Sequence, residues 1–92
     1  MIEQRSGSWF LAGDITFANV VVERAAGEKV IVEQKIACLD LSKLGSNDSS
    51  VLALLLAWKR CAKRGGWNLH YVNFSKNLRS LAQVCNLQKI LE

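Results

Sequence analysis

Residues 39–58 read LDLSKLGSNDSSVLALLLAW, and this stretch decides the fold. A short apolar segment ending at Leu41 is followed by a loop rich in Ser, Asn, Asp and Gly, and then by a long apolar segment. Residues of the loop types favour turns because their side chains bond to nearby backbone groups. The pattern predicts a strand over Ile36–Leu41, covered on both faces as in a parallel sheet, then a loop, then a helix over Val51–Arg64.

The start of the predicted helix carries an acid beside two hydroxyls, Asp48, Ser49 and Ser50. Any of the three can supply the N-cap. The first N–H groups of a helix lack internal partners and attract anions, including a phosphate on a capping Ser. The alternative interpretation is that Asp48 and Ser49 do no more than cap the helix.

Outward from this stretch, predicted strands and helices alternate. Gly65-Gly66 ends the helix, and Ser75 can cap the last one. Alternation of this kind implies crossover connections and an α/β fold with a mostly parallel sheet. The other predicted elements are a strand over Ser8–Ala12 before a turn at Gly13-Asp14, a helix over Phe17–Glu33, a strand over Trp67–Phe74 and a helix over Lys76–Cys85.

The helix predicted over Phe17–Glu33 is the least regular element. Gly27 in its interior costs about 1 kcal/mol relative to Ala, and its two runs of β-branched residues would also suit strands. The apolar spacing favours one imperfect helix that Thr16 can cap.

Length and composition restrict the class of protein. A chain of 92 residues, half of them hydrophobic and 22% charged, can bury a core, and we expect residues 1–92 to form a single domain. The N-terminus MIEQRSGSWF lacks the pattern of a secretion signal. The longest apolar run, Val51–Trp58, is far shorter than the ~20 residues of a membrane span. The expected location is cytoplasmic, with contact to a membrane only through a partner.

Residues that could support catalysis or metal binding are scattered. Cys38, Cys61 and Cys85 are odd in number and far apart, which predicts three buried thiols rather than a disulfide framework or zinc site. His70 has no catalytic partner at a suitable spacing, and Gly65-Gly66 fits no nucleotide-binding loop. The sequence therefore predicts no catalytic residue, no metal, no cofactor and no enzymatic activity.

Charge is distributed unevenly along the chain. Residues 1–50 carry a net charge of −2 and residues 51–92 one of +6. The basic half can reflect solvated helix ends, or it can attract an acidic partner or anionic lipid. Direct binding to nucleic acid is not expected, because no binding motif is present and the aromatic residues suit a core. The cations considered are Lys59, Arg60, Lys63, Arg64, Lys76 and Arg79.

The stretch resembles the signature of STAS domains, the sulfate-transporter and anti-sigma-factor-antagonist family. In that family a strand ending in D-L-S leads to D-[ST]-[ST]-G and an apolar helix. Asp40-Leu41-Ser42 and Asp48-Ser49-Ser50 match these motifs, while Val51 replaces the Gly and the first strand pair is shortened. The resemblance implies a STAS-like α/β fold with a mostly parallel or mixed sheet of about four strands covered by about three helices.

Short chains with ALLL-A-W after the hydroxyls look most like MlaB-like STAS subunits of phospholipid-transport ABC systems. This resemblance implies a non-enzymatic subunit, peripheral to the inner membrane, that binds and supports the cytoplasmic ATPase of the transporter through Asp48, Ser49 and Ser50. The alternative is an anti-sigma-factor antagonist whose partner is an anti-sigma factor kinase and whose phosphorylated residue is Ser49. Val51 in place of Gly favours the ABC-transporter subunit.

The apolar helix has two adjoining apolar sides, although a helix packed on a sheet needs only one. Val51, Leu54 and Trp58 form one of them. That side is either core beneath a neighbouring helix or, in the second interpretation, a partner-binding surface. Trp is enriched at the energetic centres of interfaces, which supports the second interpretation.

Overall fold

The computed structural model describes residues 1–91. Within these residues, three α-helices accompany six short strands, and a 3-10 helix over Gln88–Leu91 follows the last α-helix. In chain order the elements are β1 (Ile2–Arg5), β2 (Ser8–Leu11), β3 (Gly13–Ile15), α1 (Val20–Gln34), β4 (Cys38–Asp40), β5 (Leu44–Asn47), α2 (Ser50–Arg64), β6 (His70–Val72) and α3 (Lys76–Val84).

The main sheet has four strands in the order β1-β2-β4-β6. β1 and β2 are antiparallel, whereas β2 with β4 and β4 with β6 are parallel. In the parallel register Asp40 lies between Phe10 and Val72. The predicted α/β class, with a mixed sheet of four strands and three helices, is confirmed.

The sheet opens with a hairpin, which is the strand pair that the family resemblance implied in shortened form. Ser6 and Gly7 form its turn, and both have positive φ, 51° and 81°. A two-residue turn with positive φ at both positions matches the twist of an antiparallel pair. The dipeptide Ser6-Gly7 was the available signal, and the pair that it joins is complete, with four residues in each strand.

Helices cover only one face of the main sheet. Along β4 and β6, Leu39 and Tyr71 are buried, whereas Cys38 and His70 are exposed. Neighbouring residues of a strand point to opposite faces, so this alternation marks one covered face and one open face. The prediction of a strand covered on both faces is wrong. The prediction of three buried thiols holds for Cys61 alone, since Cys85 is exposed as well.

α1 and α2 pack on the covered face, and Trp58 is central to the contact between the two helices. The Trp58 side chain is fully buried, and its indole N–H donates to the carbonyl oxygen of Arg24 at 3.1 Å. Gly27 lies directly against the ring, because a Cβ on it would stand 2.1 Å from Cζ2 of Trp58. The glycine that weakens the predicted helix is therefore what lets α1 approach α2.

Several predicted boundaries shift, and β4 spans Cys38–Asp40 rather than Ile36–Leu41. α1 begins at Val20 rather than Phe17, because Asn19 and Thr16 bond to each other and close a turn before the helix. β6 is limited to His70–Val72, and the next residue, Asn73, has a φ of 56° that ends the strand. The predicted end of α2 before Gly65 is confirmed, as is capping of α3 by Ser75, whose hydroxyl accepts the N–H of Leu78 at 3.0 Å.

Candidate functional site

The loop predicted between β4 and α2 contains a strand of its own. β5 pairs in parallel with β3, so that Ile15 lies opposite Asn47. One carboxylate oxygen of Asp14 accepts the N–H of Ser46 at 2.8 Å. This two-stranded sheet holds the residues before α2 beside the residues before α1. The predicted turn at Gly13-Asp14 is thus part of β3, which the sequence interpretation missed.

Asp48 organises the start of α2. Its carboxylate accepts a hydrogen bond from the hydroxyl of Ser50, a second from the Ser50 N–H at 2.9 Å and a third from the Phe17 N–H at 3.2 Å. The Ser50 hydroxyl is the largest influence among these bonds, and together they hold the pKa of the Asp48 carboxyl below its ordinary value. Asp48 therefore joins α2 to the turn before α1 as an ionised group.

The two hydroxyls after Asp48 have different environments. Ser50 is buried, and its hydroxyl is bonded to Asp48. Ser49 occupies the N-cap position of α2, is exposed and makes no side-chain capping bond. Of the pair, only the Ser49 hydroxyl is presented to a partner or to a modifying enzyme.

The helix side formed by Val51, Leu54 and Trp58 is core. Their exposed fractions are 0%, 1% and 0%. α1 packs against Trp58 on this side, where Gly27 provides the space for the indole ring. The interpretation of the three side chains as a partner-binding surface is therefore not supported in this fold, and the interpretation as core beneath a neighbouring helix describes them.

Val51 also bears on access to Ser49. The family motif has Gly at this position, and a larger residue raises the question of whether a partner can approach closely. The Val51 side chain is fully buried among core residues. Because it is buried, it does not occupy the surface beside the exposed Ser49.

Asp40, the acid of the D-L-S motif, is hydrogen-bonded to neighbouring residues of the fold. Partial burial raises the pKa of its carboxyl. Hydrogen bonds from the N–H and hydroxyl of Ser42 and from the amide of Asn73, together with the positive charge of Lys43, outweigh this effect, so the pKa lies below its ordinary value. The Ser42 N–H and the Asn73 amide lie 2.7 and 2.8 Å from the carboxylate. Asp40 thus ties the end of β4 to the residue that follows β6.

A broad hollow of about 770 Å³ adjoins β5 and the start of α3. Its polar lining comes from hydroxyls and amides, among them Ser42, Asn47, Asn73 and Asn77. No acid, base, His or Cys lines it. Such a lining can form hydrogen bonds with a partner but offers no group for proton transfer or nucleophilic attack.

The predicted basic patch is divided among several surfaces. Lys59, Arg60 and Lys63 of α2 line a groove of about 300 Å³ together with His70. The Lys59 ammonium lies 5.6 Å from the centre of the Tyr71 ring. Arg79 instead stacks on Phe74 at 5.1 Å. Within residues 1–91, no cluster of three or more His, Cys, Asp or Glu side chains is arranged to hold a metal.

The sequence interpretation missed the exposed apolar residues near the start of α1. Phe17 is 72% exposed although its backbone N–H is bonded to Asp48. Val21 and Val22 are also largely exposed. The available signal was the apolar pattern of Phe17–Glu33, which continues around more of the helix than one buried stripe requires.

Comparison with known proteins agrees with this architecture. A family model described as "Mlab, STAS domain" matches residues 6–92. The solved structure of the anti-sigma factor antagonist SpoIIAA in its unphosphorylated form is similar in fold, with a TM-score of 0.70. The alignment has 19% identity and covers 100% of this chain and 84% of SpoIIAA. No curated protein matches the chain in sequence. In the described part of the chain, no helix has the length and apolar character needed to cross a membrane.

Proposed function

The chain belongs to the family of MlaB-like STAS domains, and on that premise we propose that it is a non-enzymatic subunit of an Mla-type phospholipid-transport ABC system. In this role it binds the cytoplasmic ATPase of the transporter and supports its assembly or activity. It thereby contributes to the lipid asymmetry of the outer membrane. Its location is cytoplasmic, and it is peripheral to the inner membrane through the transporter complex.

The observation that carries the proposal is the exposed hydroxyl of Ser49. Asp48 and Ser50 are bonded to each other, which leaves Ser49 as an exposed residue with no capping bond at the start of α2. An exposed hydroxyl of this kind is available to form one of the hydrogen bonds of a protein interface. The adjoining hollow lacks titratable side chains, which favours binding over chemistry.

Co-purification from the native host tests this role. A tagged chain should recover the ATPase in a fixed ratio, and replacement of Ser49 by Arg should abolish recovery because a bulky charge then occupies the contact. Ser80→Arg is the control, since Ser80 is an exposed residue of α3 that does not line the hollow beside β5. Failure of the unmodified chain to recover any ATPase under mild conditions would contradict the proposal.

The second candidate is an anti-sigma-factor antagonist controlled by phosphorylation. The same exposed Ser49 supports it, because a phosphate there would add about −1.5 to −2 charge beside the ionised Asp48 and repel an acidic partner. Incubation with the serine kinase of the host and ATP, followed by mass spectrometry, separates the two functions. A phosphate on Ser49 that abolishes kinase binding would favour this candidate, and an unmodified chain that still binds the ATPase would favour the first.

A further inference from the structure

We propose that the outer face of α1 forms the apolar part of the surface that docks on the ATPase, an inference that rests on the proposed function. We call this surface the α1 ridge and define it as Val21, Ala25 and Val32 of α1 together with Phe17 in the turn before the helix. The exposed fractions of Phe17, Val21 and Val32 are 72%, 77% and 49%, and Ala25 between them is also exposed. A fourth large side chain, Val22, flanks the ridge and is 71% exposed.

The ridge is an exposed apolar face of a helix whose opposite side is already packed. Gly27 and Ile31 are the buried residues of α1 and face α2 and the core. Residues four or seven apart lie on one side of a helix, so Val21, Ala25 and Val32 form a continuous outer stripe. A helix that is apolar on both sides is normally covered on both sides, and exposed apolar patches mark sites of interaction.

Two hydrogen bonds connect α1 and the turn before it to α2, the helix that Ser49 caps. The backbone N–H of Phe17 donates to Asp48, the residue that precedes Ser49. Further along, Trp58 of α2 donates to the Arg24 carbonyl. A partner that contacts the Ser49 hydroxyl therefore meets Phe17, the first residue of the ridge, close to it.

The charges beside the ridge indicate what kind of surface the partner presents. Arg24 and Glu28 form an ion pair at 3.2 Å and, with Val21 and Ala25, line a shallow hollow of about 290 Å³. Since the two charges compensate each other, the partner needs no net charge at this contact. An apolar, uncharged helix or groove of the ATPase fits the ridge, with one of its side chains in the hollow.

The charge pattern does not favour a lipid surface. Membrane-surface helices carry an excess of Lys and Arg beside their apolar face. The positions flanking the α1 ridge include Arg24 and Lys29 but also Glu28 and Glu33. This even balance suits contact with a protein rather than with anionic headgroups.

The test compares Val21→Glu with Val84→Glu, because Val84 of α3 is 84% exposed and lies outside the ridge. Binding of each purified variant to the purified ATPase is measured by calorimetry at two salt concentrations. We expect Val21→Glu to raise Kd by about tenfold or more, as loss of a buried Val contact implies, and Val84→Glu to leave it unchanged. Binding of the unmodified chain should change little with salt. Thermal unfolding verifies that both variants fold.

Each contrary outcome identifies what fails. No binding by the unmodified chain overturns the proposed function and the ridge with it. Binding that Val21→Glu leaves intact overturns the ridge alone. Sedimentation assigns the ridge to a second copy of the chain if the unmodified chain is a dimer and only Val21→Glu is a monomer. If the unmodified chain and Val84→Glu pellet with vesicles of anionic phospholipid and Val21→Glu does not, the ridge is assigned to a membrane. Either of these last results overturns the ATPase assignment.

Discussion

Gly27 of α1 lies against the indole ring of Trp58 of α2, and this pair sets how closely the two helices pack. A Cβ at residue 27 would stand 2.1 Å from Cζ2 and 2.6 Å from Cε2 of the ring. The ring cannot retreat easily, because Trp58 is fully buried and its N–H is bonded to Arg24 of the same helix as Gly27.

Replacement of Gly27 by Ala should therefore destabilise the fold. Ala in place of Gly adds about 1 kcal/mol of helix propensity, but forcing extra volume into a packed contact costs about 1–3 kcal/mol. We expect a net decrease of up to about 2 kcal/mol in the free energy of unfolding, measured by urea denaturation. In a Trp58→Phe background the smaller ring makes room, so the same change should cost less. An equal cost in both backgrounds would show that the contact does not limit packing.

How much of this fold the sequence predicts depends on where the deciding contacts lie. β4 and α2 are predictable because their strand and helix signals are local to Ile36–Leu41 and Val51–Arg64. The role of Gly27 is not, because its cause is a ring 31 positions away in the chain. β5 was also missed, since Leu44–Asn47 has loop composition and is a strand only because β3 lies beside it.

The candidate site is likewise predictable from the sequence only in part. The motif places Asp48, Ser49 and Ser50 at the start of a helix, and the structure confirms that position. Which hydroxyl is exposed depends on bonds that the sequence does not contain, from Ser50 to Asp48 and from Phe17 to Asp48. Burial of Trp58 likewise follows from the placement of α1.

Stability should fall on acidification because of Asp48. Its pKa is lowered in the folded chain, first by the Ser50 hydroxyl, so below the ordinary Asp value of about 3.9 the unfolded chain binds the proton first. The contribution of Asp48 is present above that pH and is lost as the pH falls through the folded-state pKa. Asp48→Asn cannot titrate, so the stability difference between the two proteins should shrink as the pH falls below about 4. A difference that is constant from neutral to acid pH would contradict this assignment.

Stability should also fall at alkaline pH because of Tyr71. Burial raises the pKa of the Tyr71 hydroxyl well above its ordinary value, and that hydroxyl donates to the carbonyl oxygen of Leu55 at 2.6 Å. The stabilising contribution is complete below the unfolded-chain pKa of about 10 and is lost as the pH rises above it, because only the unfolded chain ionises readily. Since the chain has one Tyr, tyrosinate absorbance should appear together with unfolding. Tyr71→Phe should lack this component, and tyrosinate forming in a chain that remains folded would contradict the assignment.

Ser49 and Ser50 allow stability and binding to be separated by two substitutions of the same kind. Ser50→Ala removes a buried hydroxyl that is bonded to Asp48, which should lower the free energy of unfolding by about 1 kcal/mol. Ser49→Ala removes an exposed hydroxyl without a capping bond, so stability should stay within about 0.5 kcal/mol. If Ser49 is the contact, Ser49→Ala should weaken ATPase binding by about tenfold, as loss of an interfacial hydrogen bond implies. Ser50→Ala should bind normally while folded. A stable Ser49→Ala protein with unchanged affinity would mean that the hydroxyl is a surface group near the interface and that the apolar residues of α1 hold the partner without it.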